Sequence, residues 1–211
     1  LAIPTTANAH FKLVAPEAEY TQTTLGDPQK TAPCGPTGDG GTATNQVTTV
    51  MSGSMLTVSL NETVYHPGHY RVSIAQTEAG LPAEPPVTAG TTQCGSVPID
   101  SNPTLPVLAD GVLVHTSAFS GQQTAQVQLP AGMTCTNCVV QVLEFMSNHP
   151  APCFYHHCAI VNVTTTGQAP DAGVGGDAGT DPGGSGGCNS GRGVGPGIAL
   201  LLLALLLRRR R

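Results

Sequence analysis

Tryptophan is absent from this 211-residue sequence, aromatic residues make up 4% of it and charged residues only 10%. Basic residues are especially scarce, since Lys12, Lys30 and Arg71 are the only lysines and arginines between His10 and Thr166. Three cations cannot form the basic surface that a nucleic-acid backbone requires, so we expect no nucleic-acid binding. The surface must consist largely of Thr, Ser, Gln, Asn and Gly, which suits contact with neutral polymers outside a cell.

The sequence favours short strands and turns over long helices. Gly (26 residues) and Pro (18 residues) are abundant, and Thr and Val recur in short runs. The length suits one folded domain, which we expect at residues 10–166. Short strands separated by Gly/Pro turns predict an all-β fold, an immunoglobulin/fibronectin-like β-sandwich with long loops. The predicted strands are Gln46–Val50, Met55–Leu60, Tyr70–Gln76, Val112–Thr116, Thr124–Leu129, Cys138–Phe145 and Ala159–Thr165.

Two local patterns support this fold. Ala125, Val127 and Leu129 alternate with glutamines, as expected for a strand with one buried face. The stretch Thr77–Pro106 is rich in Pro, Gly, Ala and Thr, and Cys94 is its one obvious anchor. We therefore predict a long surface loop that a disulfide at Cys94 holds in place.

The two ends of the sequence differ in composition from the rest. Residues 1–9 end in a small-x-small pattern, Ala7-Asn8-Ala9, so we expect the end of a signal peptide; a disordered tail is the alternative. Residues 167–192 are rich in Gly and Asp, which predicts a flexible linker. Residues 193–211 contain the apolar run Ile198–Leu207 followed by arginines, which predicts a hydrophobic anchor.

The order of linker, Cys188, apolar run and terminal arginines resembles the C-terminal sorting tails of myxobacterial surface proteins. This resemblance implies an exported protein that stays in the membrane through its tail until it is processed near Cys188. A simple tail anchor with cytoplasmic arginines is the alternative. We expect the domain at the cell surface or outside the cell.

Six of the seven cysteines fall within the predicted domain. An even number of cysteines beside an export signal indicates disulfides formed in an oxidising compartment, and the pairing stays open at this point. A zinc site at Cys135-x-x-Cys138 is the alternative, although the sequence lacks a second CxxC pair. The disulfide candidates are Cys34, Cys94, Cys135, Cys138, Cys153 and Cys158.

Three histidine clusters are candidate metal sites. Cleavage after Ala9 would expose the amine of His10, and this one residue would then offer two metal ligands, the amine and the imidazole. The second cluster contains His66 and His69 around a Pro-Gly turn, which can hold an imidazole rigidly at a sheet edge. The third contains His149, His156 and His157, which either bind zinc or are solvated loop residues.

Three segments together resemble lytic polysaccharide monooxygenases, closest to a myxobacterial group of monooxygenase-like proteins. His10 stands where these enzymes begin, and Tyr65–Tyr70 is similar to their Asn-His-x-Gly-x-Phe segment. The segment from Cys135 to Ala159 is similar to their Cys-x-x-Cys-Val-Leu strand and Tyr-x-x-Cys-Ala ending. The likeness covers nearly all of residues 10–166.

This resemblance implies a histidine-brace site for one copper ion. His10 matches the N-terminal ligand, His66 the second histidine ligand and Tyr155 the axial position, while His69 or His149 would be a second-sphere donor. The implied reaction is oxidative cleavage of a chitin-like or cellulose-like polysaccharide at C1 or C4, with O2 or H2O2 as co-substrate and an external electron donor. We expect a monomer. Candidate aromatic residues for stacking on sugar rings are Tyr20, Tyr70 and Phe154.

Other functions fit parts of the same sequence. The same two histidines suit a non-catalytic copper-binding or copper-delivery protein at the cell surface, and a tethered structural β-domain is a third class. A glycoside hydrolase needs two carboxylates across a cleft, and Glu62 and Glu144 are the best candidates. We expect both instead to be exposed residues at strand edges. Within the predicted domain, residues 10–166, the sequence contains no Gly-x-Ser-x-Gly nucleophile motif.

Overall fold

A computed structural model describes residues 10–36 and 41–166. The predicted signal peptide at residues 1–9, and the linker and anchor at residues 167–211, lie outside the described residues. Within the described part of the chain, no helix is long and apolar enough to cross a membrane.

In the described residues, eight strands form two sheets that pack face to face, which confirms the predicted all-β sandwich. The smaller sheet has the order β1-β3-β6, and the larger has the order β2-β8-β7-β4-β5. All neighbouring strands are antiparallel except β2 and β8. A 3₁₀ turn, Glu78–Gly80, lies in the loop between β4 and β5. The strands are β1 (His10–Ala15), β2 (Val47–Met51), β3 (Met55–Val64), β4 (Gly68–Ala75), β5 (Val107–His115), β6 (Gln123–Gln128), β7 (Cys135–Met146) and β8 (Phe154–Thr164).

The burial of each strand follows its side-chain pattern. In β6, Val127 is buried while the flanking Gln126 and Gln128 are exposed, as expected for a strand with one face toward the core. The central strand β7 is different, because every residue from Cys138 to Met146 is buried. A strand covered on both faces needs a nearly continuous apolar run, which this segment supplies except at Gln141 and Glu144.

Two long loops and two disulfides cover the outer face of the larger sheet. Cys34 bonds to Cys158 of β8, and Cys94 bonds to Cys153 just before β8, so each loop is fixed beside the same strand. The predicted loop at Thr77–Pro106 is confirmed in this arrangement. The third disulfide joins Cys135 to Cys138, and the alternative of a zinc site at these two cysteines is therefore wrong.

The ends of five strands meet at one end of the sandwich. His10, the first residue of β1, pairs with Val64, the last residue of β3. Gly68, the first residue of β4, pairs with Met146, the last residue of β7. The loop after β7 leads directly into β8. The three-residue connection between β3 and β4, which contains His66, therefore lies at the same end as the start of β1.

The adjacent histidines of β8 point to opposite faces of the larger sheet, and both are buried. His157 faces the smaller sheet, where its Nε2–H donates to the Phe11 carbonyl at 3.0 Å and its ring packs edge-on against the Phe11 ring. His156 faces outward, 3.0 Å from the Glu84 carboxylate. The expectation that these are solvated loop residues is wrong, because strand β8 begins before them and both of its faces are covered.

The buried His157 makes stability depend on pH. Burial lowers the pKa of His157 to about 4, against about 6.5 in an unfolded chain. As pH falls from about 6.5 to 4, the unfolded chain takes up a proton that the folded chain does not, so the folded state loses stability across this window. Replacing His157→Gln keeps a hydrogen-bond donor and removes the titration. We expect the loss of unfolding free energy between pH 7 and pH 4.5, measured with urea, to be smaller in the variant by about 2 kcal/mol. If the variant loses as much unfolding free energy as the unmodified protein, His157 does not cause this pH dependence.

Candidate metal centre

His10 lies at the start of β1, where antiparallel pairing with β3 fixes its backbone. Its side chain is 1% exposed. The ring Nε2 is 3.5 Å from Oδ2 of Asp27, a carboxylate that favours a proton on this nitrogen. The ring Nδ1 is buried and has no hydrogen-bond partner among the described residues. A neutral imidazole in this tautomer has its lone pair on Nδ1, the nitrogen nearer the backbone.

His66 lies in the short connection from the smaller sheet to the larger one. Gly68 stands two residues later, and a Cβ at that position would collide with the Phe145 carbonyl oxygen, so only glycine allows the chain to turn this closely. The Nδ1 of His66 is 2.6 Å from the Asn148 amide oxygen, which can only accept a hydrogen bond. Nδ1 therefore carries the proton, and Nε2 keeps the lone pair.

A row of four rings leads from His10 to His66. The centroids of His10 and Tyr155 are 5.4 Å apart, those of Tyr155 and His149 are 5.4 Å apart, and those of His149 and His66 are 4.9 Å apart. Burial is the main cause that lowers the pKa of His66, and the nearby His149 and His10 lower it further, while Asn148 opposes the shift. This environment favours the neutral imidazole that a metal ligand must be.

His69 and His149, the two histidines expected near the proposed copper ligands, lie in different places. His149 lies in the row of four rings, and its Nδ1–H donates to the Pro152 carbonyl at 2.9 Å. His69 projects instead from the outer face of β4 and packs against Phe145, the residue paired with it on β7. Alternation along β4 explains the difference, since His69 must point away from Tyr70, which faces the core.

Two of the three candidate sugar-stacking residues are buried. Tyr70 is 0% exposed and Phe154 is 3% exposed, so neither presents a ring face to a ligand, and the expectation for them is wrong. Tyr70 packs against Phe11 between the sheets, and Phe154 packs against Phe145 on the outer face of the larger sheet. Tyr20 is partly exposed beside Lys12 and Glu17.

The expectation that Glu62 and Glu144 are exposed is also wrong. Glu144 is 0% exposed, and the side chain of Glu62 is 3% exposed. Because both carboxylates are buried between the sheets, they do not form the open cleft that a glycoside hydrolase needs. His115, which the sequence did not single out, lies with its Nε2 3.0 Å from Glu62 Oε1.

Asp27 and Asn148 are site residues that sequence reasoning missed. Neither stands beside a histidine partner in sequence, since Asp27 reaches His10 from the loop after β1 and Asn148 reaches His66 from the loop after β7. The one available signal was the run Asn148-His149-Pro150, a polar turn next to a candidate histidine.

Within the part of the chain that the structure describes, the groups of three potential side-chain ligands are Glu19 with Cys34 and Cys158, and Glu62 with His115 and Glu144. A site at His10 and His66 requires the His10 amine as its third ligand.

No protein-family model matches this chain, and no curated protein matches it. Among solved structures, the chain is similar to the AA15 lytic polysaccharide monooxygenase from Thermobia domestica in the Cu(I) state. The TM-score is 0.50 at 17% sequence identity, and the match covers 74% of this chain and 100% of that one. At this identity the likeness shows the fold. The immunoglobulin-like sandwich of lytic polysaccharide monooxygenases is therefore the fold of this chain.

Proposed function

We propose that this protein is a copper-dependent monooxygenase that cleaves a polysaccharide oxidatively, with His10 and His66 as the copper ligands. The observation that carries the proposal is the pair of free lone pairs at one end of the sandwich. Asp27 engages the Nε2 side of His10, and Asn148 engages Nδ1 of His66. Outer-shell partners of this kind fix the tautomer of metal-binding histidines, and each leaves the opposite nitrogen available.

The donor set fits copper. His10 Nδ1 is a buried nitrogen that lacks a partner within the described chain, and such an atom costs free energy unless a ligand satisfies it. Cleavage after Ala9 would free the His10 amine next to that nitrogen, so that one residue would chelate the ion and His66 Nε2 would complete three nitrogens. Copper has the highest affinity of the divalent first-row metals for such sites. The buried Tyr155 ring beside His10 would close one side of the ion.

Bound copper would supply one-electron chemistry that activates O2 or H2O2, with electrons from an external donor, to oxidise C1 or C4 of a chitin-like or cellulose-like chain. The protein's own residues would position the site. The Asp27 and Asn148 oxygens would hold both imidazoles in place, and burial would keep His66 neutral at physiological pH. The sparsely charged surface suits a neutral polysaccharide outside the cell.

The second candidate function is copper binding or delivery at the cell surface. The burial of Tyr70 and Phe154 favours it, because these rings are then unavailable to stack on sugars. Both candidates need the same copper site, and only the presence of an oxidised product separates them.

Copper titration tests the requirement for a free amine. We expect protein that begins at His10 to bind one Cu(II) at least about 100-fold more tightly than protein with one extra N-terminal alanine, because the extra residue removes one of three ligands. Isothermal titration calorimetry measures both affinities, and electron paramagnetic resonance reports the number of coordinated nitrogens. Equal affinities would exclude both copper functions.

The Asn148 contact has a separate test. Replacing Asn148→Ala removes the acceptor that holds His66 in its tautomer, so we expect copper affinity to fall by about 10–100-fold. Asn102→Ala is the matched control, since Asn102 is exposed in a loop and contacts neighbouring residues only. If the two variants bind copper equally well, Asn148 does not support the ligand.

The proposed activity is tested by incubating copper-loaded protein with chitin or cellulose, a reductant and O2 or H2O2. We expect oxidised oligosaccharides, identified by mass spectrometry, from protein that begins at His10. The extended protein and His66→Ala should release none. Tight copper binding without oxidised product on either polymer would favour the delivery function.

A further inference from the structure

A second group of ligand-type side chains lies between the two sheets. Glu62 comes from β3, His115 from the end of β5 and Glu144 from the middle of β7. One ligand atom from each residue lies within 4.8 Å of the other two. The side chains of His115 and Glu62 are 4% and 3% exposed, and Glu144 is completely buried.

The hydrogen bonds around this group leave one imidazole nitrogen and two carboxylate oxygens facing one another. His115 Nδ1 is 2.9 Å from the Leu113 carbonyl, which only accepts, so Nδ1 carries a proton and a neutral ring has its lone pair on Nε2. That Nε2 makes a hydrogen bond with Glu62 Oε1 at 3.0 Å through one shared proton, while Glu62 Oε2 accepts from the Phe119 backbone N–H. Glu144 Oε1 accepts from the Tyr70 hydroxyl at 3.1 Å. Its Oε2 is buried and has no partner in the described part of the chain.

Such an arrangement requires positive charge at its centre. Two buried carboxylates repel each other, and burying them without compensating positive charge is costly. Protons supply part of the compensation in the protein alone. Burial, with a smaller contribution from Glu62, raises the pKa of Glu144 to about 8, although the Tyr70 hydrogen bond opposes this shift. A metal cation would compensate all three groups at once.

We propose that Glu62, His115 and Glu144 bind a divalent transition-metal ion, with Zn²⁺ as its representative, at a structural site between the sheets. One imidazole nitrogen and two carboxylate oxygens are ligands that zinc accepts at about 2.0–2.2 Å. Three such ligands on a tetrahedral ion lie about 3.3 Å apart, so small side-chain movements from the present spacing would close the site. The metal would displace the proton held by Glu144 and the proton shared between His115 and Glu62, and both would leave to solvent.

Contacts from neighbouring residues already orient the three side chains. The His115 ring is oriented by its Nδ1 bond to Leu113 and packs against the Phe119 ring, with centroids 4.2 Å apart. Glu62 and Glu144 each accept a hydrogen bond on one oxygen and present the other oxygen to the cluster. Outer-shell hydrogen bonds of this kind hold ligands in a binding geometry. The ion would tie β3 of the smaller sheet to β5 and β7 of the larger one.

Zinc binding is measured in a background that cannot bind metal at the brace. The reference protein carries one extra residue before His10 and the replacement His66→Ala. It is refolded from urea with its disulfides intact in the presence of Zn²⁺ and then dialysed, and bound zinc is counted by mass spectrometry of the metal. We expect one Zn²⁺ per chain. Glu144→Gln in this background should lower the affinity at least about tenfold, whereas Glu17→Gln, an exposed carboxylate elsewhere, should leave it unchanged.

Thermal unfolding separates lost binding from lost folding. We expect Zn²⁺ to raise the unfolding midpoint of the reference protein and of Glu17→Gln, and to leave that of Glu144→Gln unchanged. Because glutamine still accepts from Tyr70 and removes a buried carboxyl group, Glu144→Gln should fold without zinc; if it does not, His115→Gln replaces it in the same comparison. A reference protein that binds no Zn²⁺, or equal binding by the Glu144→Gln and Glu17→Gln variants, would overturn the proposal. Neither result depends on the copper site, which is disabled throughout.

Discussion

The antiparallel pairing of β1 with the last residues of β3 determines where the candidate ligands lie. His10 is opposite Val64, and His66 is two residues beyond Val64, so the pairing brings residues 56 positions apart in sequence to one end of the sandwich. The chain then crosses to the larger sheet, where β4 lies beside the end of β7. Asn148 and His149 follow β7 directly. Backbone hydrogen bonds, rather than contacts among the histidines, thus bring the residues of the candidate metal centre together.

Much of the fold was predictable from the sequence, since the predicted strands overlap seven of the eight strands that the structure describes, and each of the seven contains valine, a residue that favours strands. The predicted strand Val112–Thr116 was the least accurate, since β5 begins at Val107 and passes through Gly111, a residue that argues against a strand. Strand β1 was missed altogether. Its six residues, His10–Ala15, give too short a pattern to recognise without the partner strand that they pair with.

Of the candidate site, only the proposed ligands were predictable from the sequence. His10, His66 and Tyr155 belong to local motifs, whereas Asp27, Asn148 and His115 act on partners from distant loops and strands. Sequence patterns also misjudged the buried charges. Glu144 interrupts an apolar strand and a polar residue there is ordinarily exposed, but coverage of both faces of the larger sheet leaves it no solvent. Glu62 and His115 come close to Glu144 only through the packing of the two sheets, which no local sequence pattern reveals.

The position of His10 within a hydrogen-bonded ladder has a consequence for any protein that begins at this residue. Chain termini ordinarily fray, and immobilising one on a ligand costs conformational entropy. His10, however, already pairs with Val64 in the smaller sheet, and the backbone N–H of Phe11 donates to the Gln29 side-chain oxygen at 3.1 Å. A terminal nitrogen at this point would be pre-organised, and an arriving ion would meet little of the ordering cost that a loose end imposes.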